Sequence, residues 1–385
     1  MGRIKETAER REAARVPLSV VPAMPSVRAV LRPAAEAVET LAEEWTALAA
    51  QASEPNAFAE HWFVAAALRT LPEGRDVRLI EARRGGRLIG LLLFEIVRGY
   101  ARLPVLVVQN WCHDQAFLGT PLVAAGEEQA FWKAAIDALN AADLRANLVH
   151  LWRMCEGGPV ERALGAPAVH RRIRAFLESD LAPAAYYEQA VRQKKRKELR
   201  RLRNRLADLG TVETRILDDR TQLDSWCDAF LALEKAGWKG KEGTALACVS
   251  GGEAFFRDLL AAAWAEGRLQ FRRLDVEGRP VAMLVNFLCP PGSFSFKTAF
   301  DEGFAHFSPG VLLQIDNLDI LDRPDVAWMD SCAAQDHPMI DSLWTERRAI
   351  IRVTVPLQGW RRRMIWALCR ALEIASARLQ RGANL

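Results

Sequence analysis

The sequence predicts an α/β (α+β) protein of two similar domains in tandem, each a mixed, mostly antiparallel sheet flanked by helices, followed by a C-terminal helix. Three observations carry this expectation. At 385 residues the chain is longer than one ordinary domain. Its apolar residues switch between period 2 and period 3.6 in an order that occurs twice. Two hairpin signals, GRLIG at Gly86–Gly90 and GRPVA at Gly278–Ala282, stand 192 residues apart, half the chain. That is the spacing of a duplicated domain rather than of a short repeat.

In the first half, VRAVLRP (Val27 to Pro33) reads as a strand, and helical patterns follow at Ala34 to Gln51 and Asn56 to Thr70. VRLIEAR (Val77 to Arg83) and LIGLLLFEIV (Leu88 to Val97) are β-rich runs joined by a turn at Arg84 to Arg87. A third strand, VLVVQNW (Val105 to Trp111), leads to a helix near Glu127 to Ala141 and a strand at Ala146 to Trp152. The second half repeats this order: strand Val212 to Leu217, helices Thr221 to Ala236 and Glu253 to Glu266, a hairpin, a third strand at Ser293 to Phe300, a helical run at Val311 to Leu321, and a strand. The expected division is a polar tail over 1–26, domains over 27–180 and 181–356 with the boundary near Ser179 to Tyr187, and a helix over 357–385.

Half of the residues are hydrophobic and 26% are charged, the balance of a globular protein rather than a disordered one. The seven cysteines are scattered without a C-x-x-C spacing, so neither a disulfide framework nor a metal site is expected. The first fifteen residues are charged throughout and lack the apolar core of a secretion signal, and no apolar run approaches the length of a membrane span. The expected location is the cytoplasm.

Net charge is only +4, but it is unevenly placed. RQKKRKELRRLRNR, Arg192 to Arg205, is a basic helix that invites an anionic partner, tRNA included. Leu199, Leu202 and Leu206 give it an apolar edge, so the alternative is a helix packed by that edge with a solvated cationic face. Trp360 to Arg381 alternates arginines with Met364, Ile365, Leu368, Leu372 and Leu379. Such a helix packs on its own domain, or makes peripheral contact with a membrane through Trp360 and Trp366.

GWKGKEGTAL (Gly237 to Leu246), FKTAFDEGFAHFSPGVLL (Phe296 to Leu313) and MDSCAAQDHPMIDSLWTERR (Met329 to Arg348), with TPLV (Thr120 to Val123), resemble the CelD/BcsL-type branch of the GNAT superfamily, named for cellulose-biosynthesis proteins. The resemblance covers roughly residues 27 to 356. It implies an acyltransferase that uses acetyl-CoA or another acyl-CoA as co-substrate, and a more distant kinship to Fem-type aminoacyl transferases, which also carry tandem GNAT domains. The implied acyl-CoA site lies in the C-terminal half.

An acyl-CoA pyrophosphate suits a helix N-terminus, where backbone amides lack partners. Phe307, Ser308, Pro309, Gly310 and Val311 open the helix after the third strand, with Gly310 admitting a close phosphate and Ser308 as cap. The usual GNAT fingerprint there, a longer Gly-rich loop, is degenerate in this chain. Trp238 and Lys239 of the polar loop, Lys297 of the third strand and Asp330 are substrate candidates. Many GNAT enzymes place a tyrosine in the stretch matching Asp330 to Asp341, and here there is none. His337, tuned to physiological pH, is therefore the candidate general base or acid, with Asp301 as its partner, or else a residue that packs at a helix start. The acceptor, a small molecule or glycan, is not legible. A CoA-dependent acyltransferase, a Fem-type transferase and a silent binding protein of the same fold remain three readings.

Overall fold

The computed structural model describes residues 25–71, 76–100, 103–142 and 144–382, with side chains only as far as Ser376 in the last segment. Residues 1–24 of the expected polar tail, and the side chains of Arg378, Leu379 and Arg381, lie outside the described residues. The first unit runs β1 (Val27–Pro33), α1 (Ala34–Thr40), α2 (Ala42–Ala50), α3 (His61–Thr70), β2 (Arg78–Arg84), β3 (Arg87–Tyr100), β4 (Leu103–Asn110), the short β5 (Leu122–Val123), α4 (Glu128–Ala141), β6 (Leu148–Cys155), α5 (Pro159–Leu164) and β7 (Ala168–Glu178). Two helices, α6 (Pro183–Ala190) and the basic α7 (Gln193–Ala207), connect it to the second unit. There the order recurs as β8 (Val212–Ile216), α8 (Leu223–Ala236), α9 (Trp238–Lys241), α10 (Gly252–Ala265), β9 (Leu269–Val276), β10 (Arg279–Cys289), β11 (Gly292–Phe300), α11 (Pro309–Asp316), β12 (Trp328–Asp330) and β13 (Glu346–Pro356). α12 (Trp360–Gly382) follows.

The two hairpins are closed by the same device. Gly85 and Gly86 at one turn, and Glu277 and Gly278 at the other, all have positive φ. Two consecutive left-handed residues make the tight turn whose twist matches that of paired strands.

All these strands but β5 form one path, in the order β1-β2-β3-β4-β6-β13-β7-β12-β11-β10-β9-β8. Read inward from either edge, a unit contributes five strands and then meets the other unit's last strand. β13 pairs with β6 of the first unit, and β7 pairs with β12 of the second. β7 and β13 also pair with each other, antiparallel, at the centre. Among the described strands only β4–β6 and β11–β12 pair in parallel. The sheet is continuous through both units, so no break in it marks the boundary expected near Ser179 to Tyr187. Each repeat is completed by the other's final strand.

Packing joins the units as firmly as pairing does. One apolar cluster takes Phe58, Trp62 and Phe63 from the first unit and Phe255, Phe287, Phe294 and Phe296 from the second. Phe63 and Phe255 meet edge to face at 5.8 Å, and Phe58 and Phe294 at 5.3 Å. The basic helix packs by the edge read from its sequence, with Leu199, Leu202 and Leu206 buried.

At the centre of the sheet, Asp330 ends β12 with no exposed surface. Arg174 of β7 meets it through Nε at 2.6 Å and Nη2 at 2.7 Å, and Arg348 of β13 donates to the same carboxylate at 3.0 Å. The Arg348 guanidinium stacks between the rings of Phe176 and Trp328, 4.3 and 4.2 Å from their centroids. One carboxylate therefore ties three strands from both units. Burial alone would raise its pKa, but Arg174 and then Arg348 hold it below the usual carboxylate range.

Two outcomes follow. Residues 25–180 expressed alone should fail to give a monomeric fold, because β6 lacks β13, while co-expression with the rest of the chain should restore a soluble complex, read by gel filtration. Asp330→Asn should destabilise the intact chain by about 3–5 kcal/mol in denaturant titration, since it leaves the buried Arg174 and the partly buried Arg348 without their counter-charge.

Candidate functional site

β11 and β12 run parallel for three residues, Gly292–Phe294 against Trp328–Asp330, and then part. β11 continues to Phe300 while the chain after Asp330 turns away, opening a crevice beyond the carboxyl end of the short strand, where ligands of such sheets bind. The crevice belongs to a cavity of about 1100 Å³. Ser295, Phe296, Lys297, Thr298 and Phe300 form one wall, and Ser331 to Ala334 and His337 to Ile340 form the opposite one. The first unit closes the far side with Glu95, Gln109, Phe117 and Trp111 to Gln115. Trp238, Lys239, Gly243 and Thr244 of the polar loop make the rim.

On a regular strand only alternate side chains would face the crevice. In β11, Lys297 stands opposite Val285 and Ser295 opposite Asn286, so Phe296 is an extra residue in a bulge. The bulge re-aims the strand and explains why consecutive residues reach one cavity.

Lys297 is nearly buried, and burial lowers its pKa to about 8 even though Glu234 nearby favours the charged form. Glu234 sits 3.6 Å from the Lys297 ammonium and 3.0 Å from that of Lys239, and accepts from the Leu246 amide at 2.8 Å. Sequence reading missed this glutamate, although a signal existed. α8 buries Leu223, Trp226, Cys227, Phe230, Leu231 and Glu234, a helical stripe with a carboxylate in its last place.

His337 lines the crevice half-buried, and burial lowers its pKa below the ordinary imidazole value, with Asp341 opposing and Lys239 adding to the shift. Its Nδ1 is screened from solvent and has no protein partner. The same holds for Trp111 Nε1 and Gln115 Oε1, which belong to the first unit's wall. Buried polar atoms of this kind normally find a partner, so three around one cavity mark places for a ligand.

The remaining sequence candidates lie elsewhere. Asp301 does not line the cavity: it accepts from Gly303 N–H at 2.9 Å and pairs with Arg279 at 2.5 Å, so the structure does not bring it to His337. Asp330 faces its two arginines rather than the cavity. Phe307, Ser308, Pro309, Gly310 and Val311 stand behind the wall. Ser308 is in the left-handed region without a side-chain cap, and its carbonyl accepts from Val311 and Leu312, which leaves Gly310 as the first-turn donor. A Cβ on Gly310 would lie 3.2 Å from Met339 Sδ, 3.5 Å from Phe300 and 3.8 Å from Thr298, all wall residues. The basic helix borders this corner, where Lys195 donates to Ser342 Oγ at 2.5 Å.

The first unit's equivalent split, between β4 and β6, is filled by its own chain. Asn110 donates to the carbonyls of Gly119 and Trp152, both at 2.9 Å, and accepts from Trp152 N–H at 2.7 Å. Gly119 donates to Arg153 O at 2.8 Å, and a Cβ there would collide with the Trp152 carbonyl and the Asn110 amide. The helix that matches α11 is α4, and its start carries Glu127 and Glu128. Arg84 and Arg87 hold the Glu127 carboxylate and Glu128 accepts from Gly126 N–H at 3.1 Å, so the start of this helix carries negative charge that would repel a phosphate.

The titration of Lys297 is testable directly. Acylation of the intact chain near pH 8, followed by peptide mapping, should label Lys297 ahead of ordinary lysines when the crevice is empty. Glu234→Gln should lower its pKa further, because the ammonium loses its stabilising anion.

A family model described as an acetyltransferase (GNAT) domain matches residues 193–337. No curated protein matches the chain. Among solved structures, that of FemX aligns with a TM-score of 0.53 at 11% identity, covering 86% of this chain and 92% of that one. The C-terminal domain of a putative lysylphosphatidylglycerol synthetase from Agrobacterium fabrum gives 0.50 at 10% identity, over 87% and 96%. A tandem GNAT protein from the clavulanic acid biosynthesis pathway gives 0.44 at 17% identity, over 87% and 99%. At these identities the likeness is one of fold alone. The family match places an acetyltransferase (GNAT) domain over residues 193–337, in the half of the chain that holds the crevice, and the strand and helix order of that half recurs in the first.

Proposed function

We propose that the chain transfers an acyl group, acetyl or longer, from acyl-CoA to an acceptor held against the first unit's wall. The observation that carries this reading is the open split between β11 and the segment after β12, set beside a bulged strand, a lysine and a histidine. A thioester arm lying in the split would run along β11 beyond Phe294, where β12 has turned away, as an added strand would. Its carbonyl would sit at the bulge, where the amide of Phe296 and the ammonium of Lys297 stabilise the developing oxyanion. His337 takes the proton of the attacking acceptor, and the tetrahedral adduct then expels the CoA thiolate. The two shifts fit these roles: near pH 7 the histidine is neutral and the lysine charged. The phosphates would leave past Met339 toward Gly310, with Lys195 at the same corner.

The segments that resemble the CelD/BcsL-type branch supply the rim, β11 and the loop after β12, so the resemblance falls on the residues that this reading uses. Sugar, amine and lipid acceptors are separated by assay. We assign the protein to the cytoplasm, where its seven free thiols stay reduced.

Calorimetry with acetyl-CoA, longer acyl-CoAs and tRNA tests the donor. Acyl-CoA binding that Gly310→Glu abolishes is expected, and binding of tRNA alone would replace this reading with the Fem-type one. With an acceptor in hand, kcat should rise with pH through a value below 6.5 and fall near 8, the order expected of a neutral base and a charged lysine. His337→Ala should lower kcat by about 10²- to 10⁴-fold with acyl-CoA affinity preserved. An unchanged kcat would remove His337 from the mechanism.

A further inference from the structure

α12 presents two different faces, and the protein uses only one. Ile365, Trp366 and Cys369 pack on Tyr100, Val107 and Leu148 of the sheet. Trp366 Nε1 donates to Thr354 Oγ1 at 3.0 Å, and Tyr100 OH donates to Glu373. These contacts fix the rotation of the helix. Trp366 therefore faces inward and is not available to a membrane, contrary to the sequence-based expectation that paired it with Trp360.

The opposite face is bare. Trp360, Met364, Leu368 and Leu372 are 71%, 66%, 54% and 40% exposed. They follow at i, i+4, i+8 and i+12, one continuous stripe about 18 Å long at 1.5 Å per residue. Ala367, Ala371 and Ala375, also exposed, fill the space beside it. Exposed arginines flank the stripe, Arg361 on one side and Arg363 on the other, and the half-buried Arg370 lies below Arg363. From Trp360 to Ser376 the helix has one carboxylate, Glu373, and Tyr100 holds it on the inner face. The outward face is thus apolar along its middle, cationic along both edges and free of acidic side chains.

We propose that this face seats the protein on an anionic lipid surface, the helix lying in the plane of the interface. The stripe would enter the acyl boundary while Arg361 and Arg363 meet lipid phosphates, the arrangement that charge complementarity and apolar exposure together select. No helix among the described residues is long and apolar enough to cross a membrane, so the contact is peripheral. A second copy fits this face less well, because stripe against stripe would bring arginine edges together. The inference does not depend on the acyltransferase reading.

Sedimentation of the full chain with vesicles of phosphatidylcholine, with and without phosphatidylglycerol, is the test. Binding should require phosphatidylglycerol and weaken as salt rises. Trp360→Ser with Leu368→Ser should reduce vesicle affinity at least about tenfold, and Arg361→Gln with Arg363→Gln should remove the preference for phosphatidylglycerol. Both pairs are exposed, so melting curves should match the parent chain. Equal sedimentation with and without vesicles, or undiminished binding by the Trp360/Leu368 variant, would overturn the proposal. So would a dimer in light scattering that this variant dissociates, since a second copy would then occupy the stripe.

Discussion

Everything in this molecule depends on the exchange of final strands at the centre of the sheet. β6 receives its outer hydrogen bonds from β13, and β12 receives its own from β7, so neither repeat owns a complete sheet. The exchange is locked by Asp330, whose carboxylate is held by Arg174 of one unit and Arg348 of the other. A lone carboxylate at that depth would lose its hydration without return, and two guanidinium groups with a backbone amide offset the loss. The aromatic cluster beneath then fixes the angle between units. The cavity, which takes walls from both, is a product of that fixed geometry.

The two copies show how one architecture gives opposite outcomes from local substitutions. Parallel strands that part after a short pairing leave backbone groups with no partner on either side of the gap. In the first unit those groups are satisfied internally, by the Asn110 side chain and the segment through Gly119 and Thr120. In the second unit the gap stays open and is lined with titratable and polar side chains. The first copy has become scaffold and wall, while the second keeps room for a ligand.

Much of this was legible in the sequence because it rests on local periodicity. β1 coincides with the strand read from VRAVLRP, both hairpins fall where their glycines place them, and the basic helix buries the leucines of its apolar edge. What escaped was non-local. β7 carries His170, Arg171, Arg172 and Arg174 among its apolar residues, so its alternation is broken, and Arg174 only makes sense beside an aspartate 156 positions away. Asp301 had the right residue type in the right stretch, but the adjacent turn and Arg279 claim its carboxylate. Ser308 had the residue type of a cap but takes the left-handed conformation, and its carbonyl does the capping. Glu234 was readable in principle, as a carboxylate on an otherwise apolar helical stripe, but its partners come from β11 and the rim.

The crossing of β13 into the first unit also bears on how the chain is made. During synthesis the first repeat leaves the ribosome with β6 as an open edge, and the strand that closes it begins at Glu346. About half of the polypeptide must be translated, and the second repeat largely assembled, before that edge is covered. An exposed strand edge recruits any complementary strand nearby. A nascent chain of this protein therefore carries β6 as an uncovered edge for a long interval, during which its own fold offers that edge no partner.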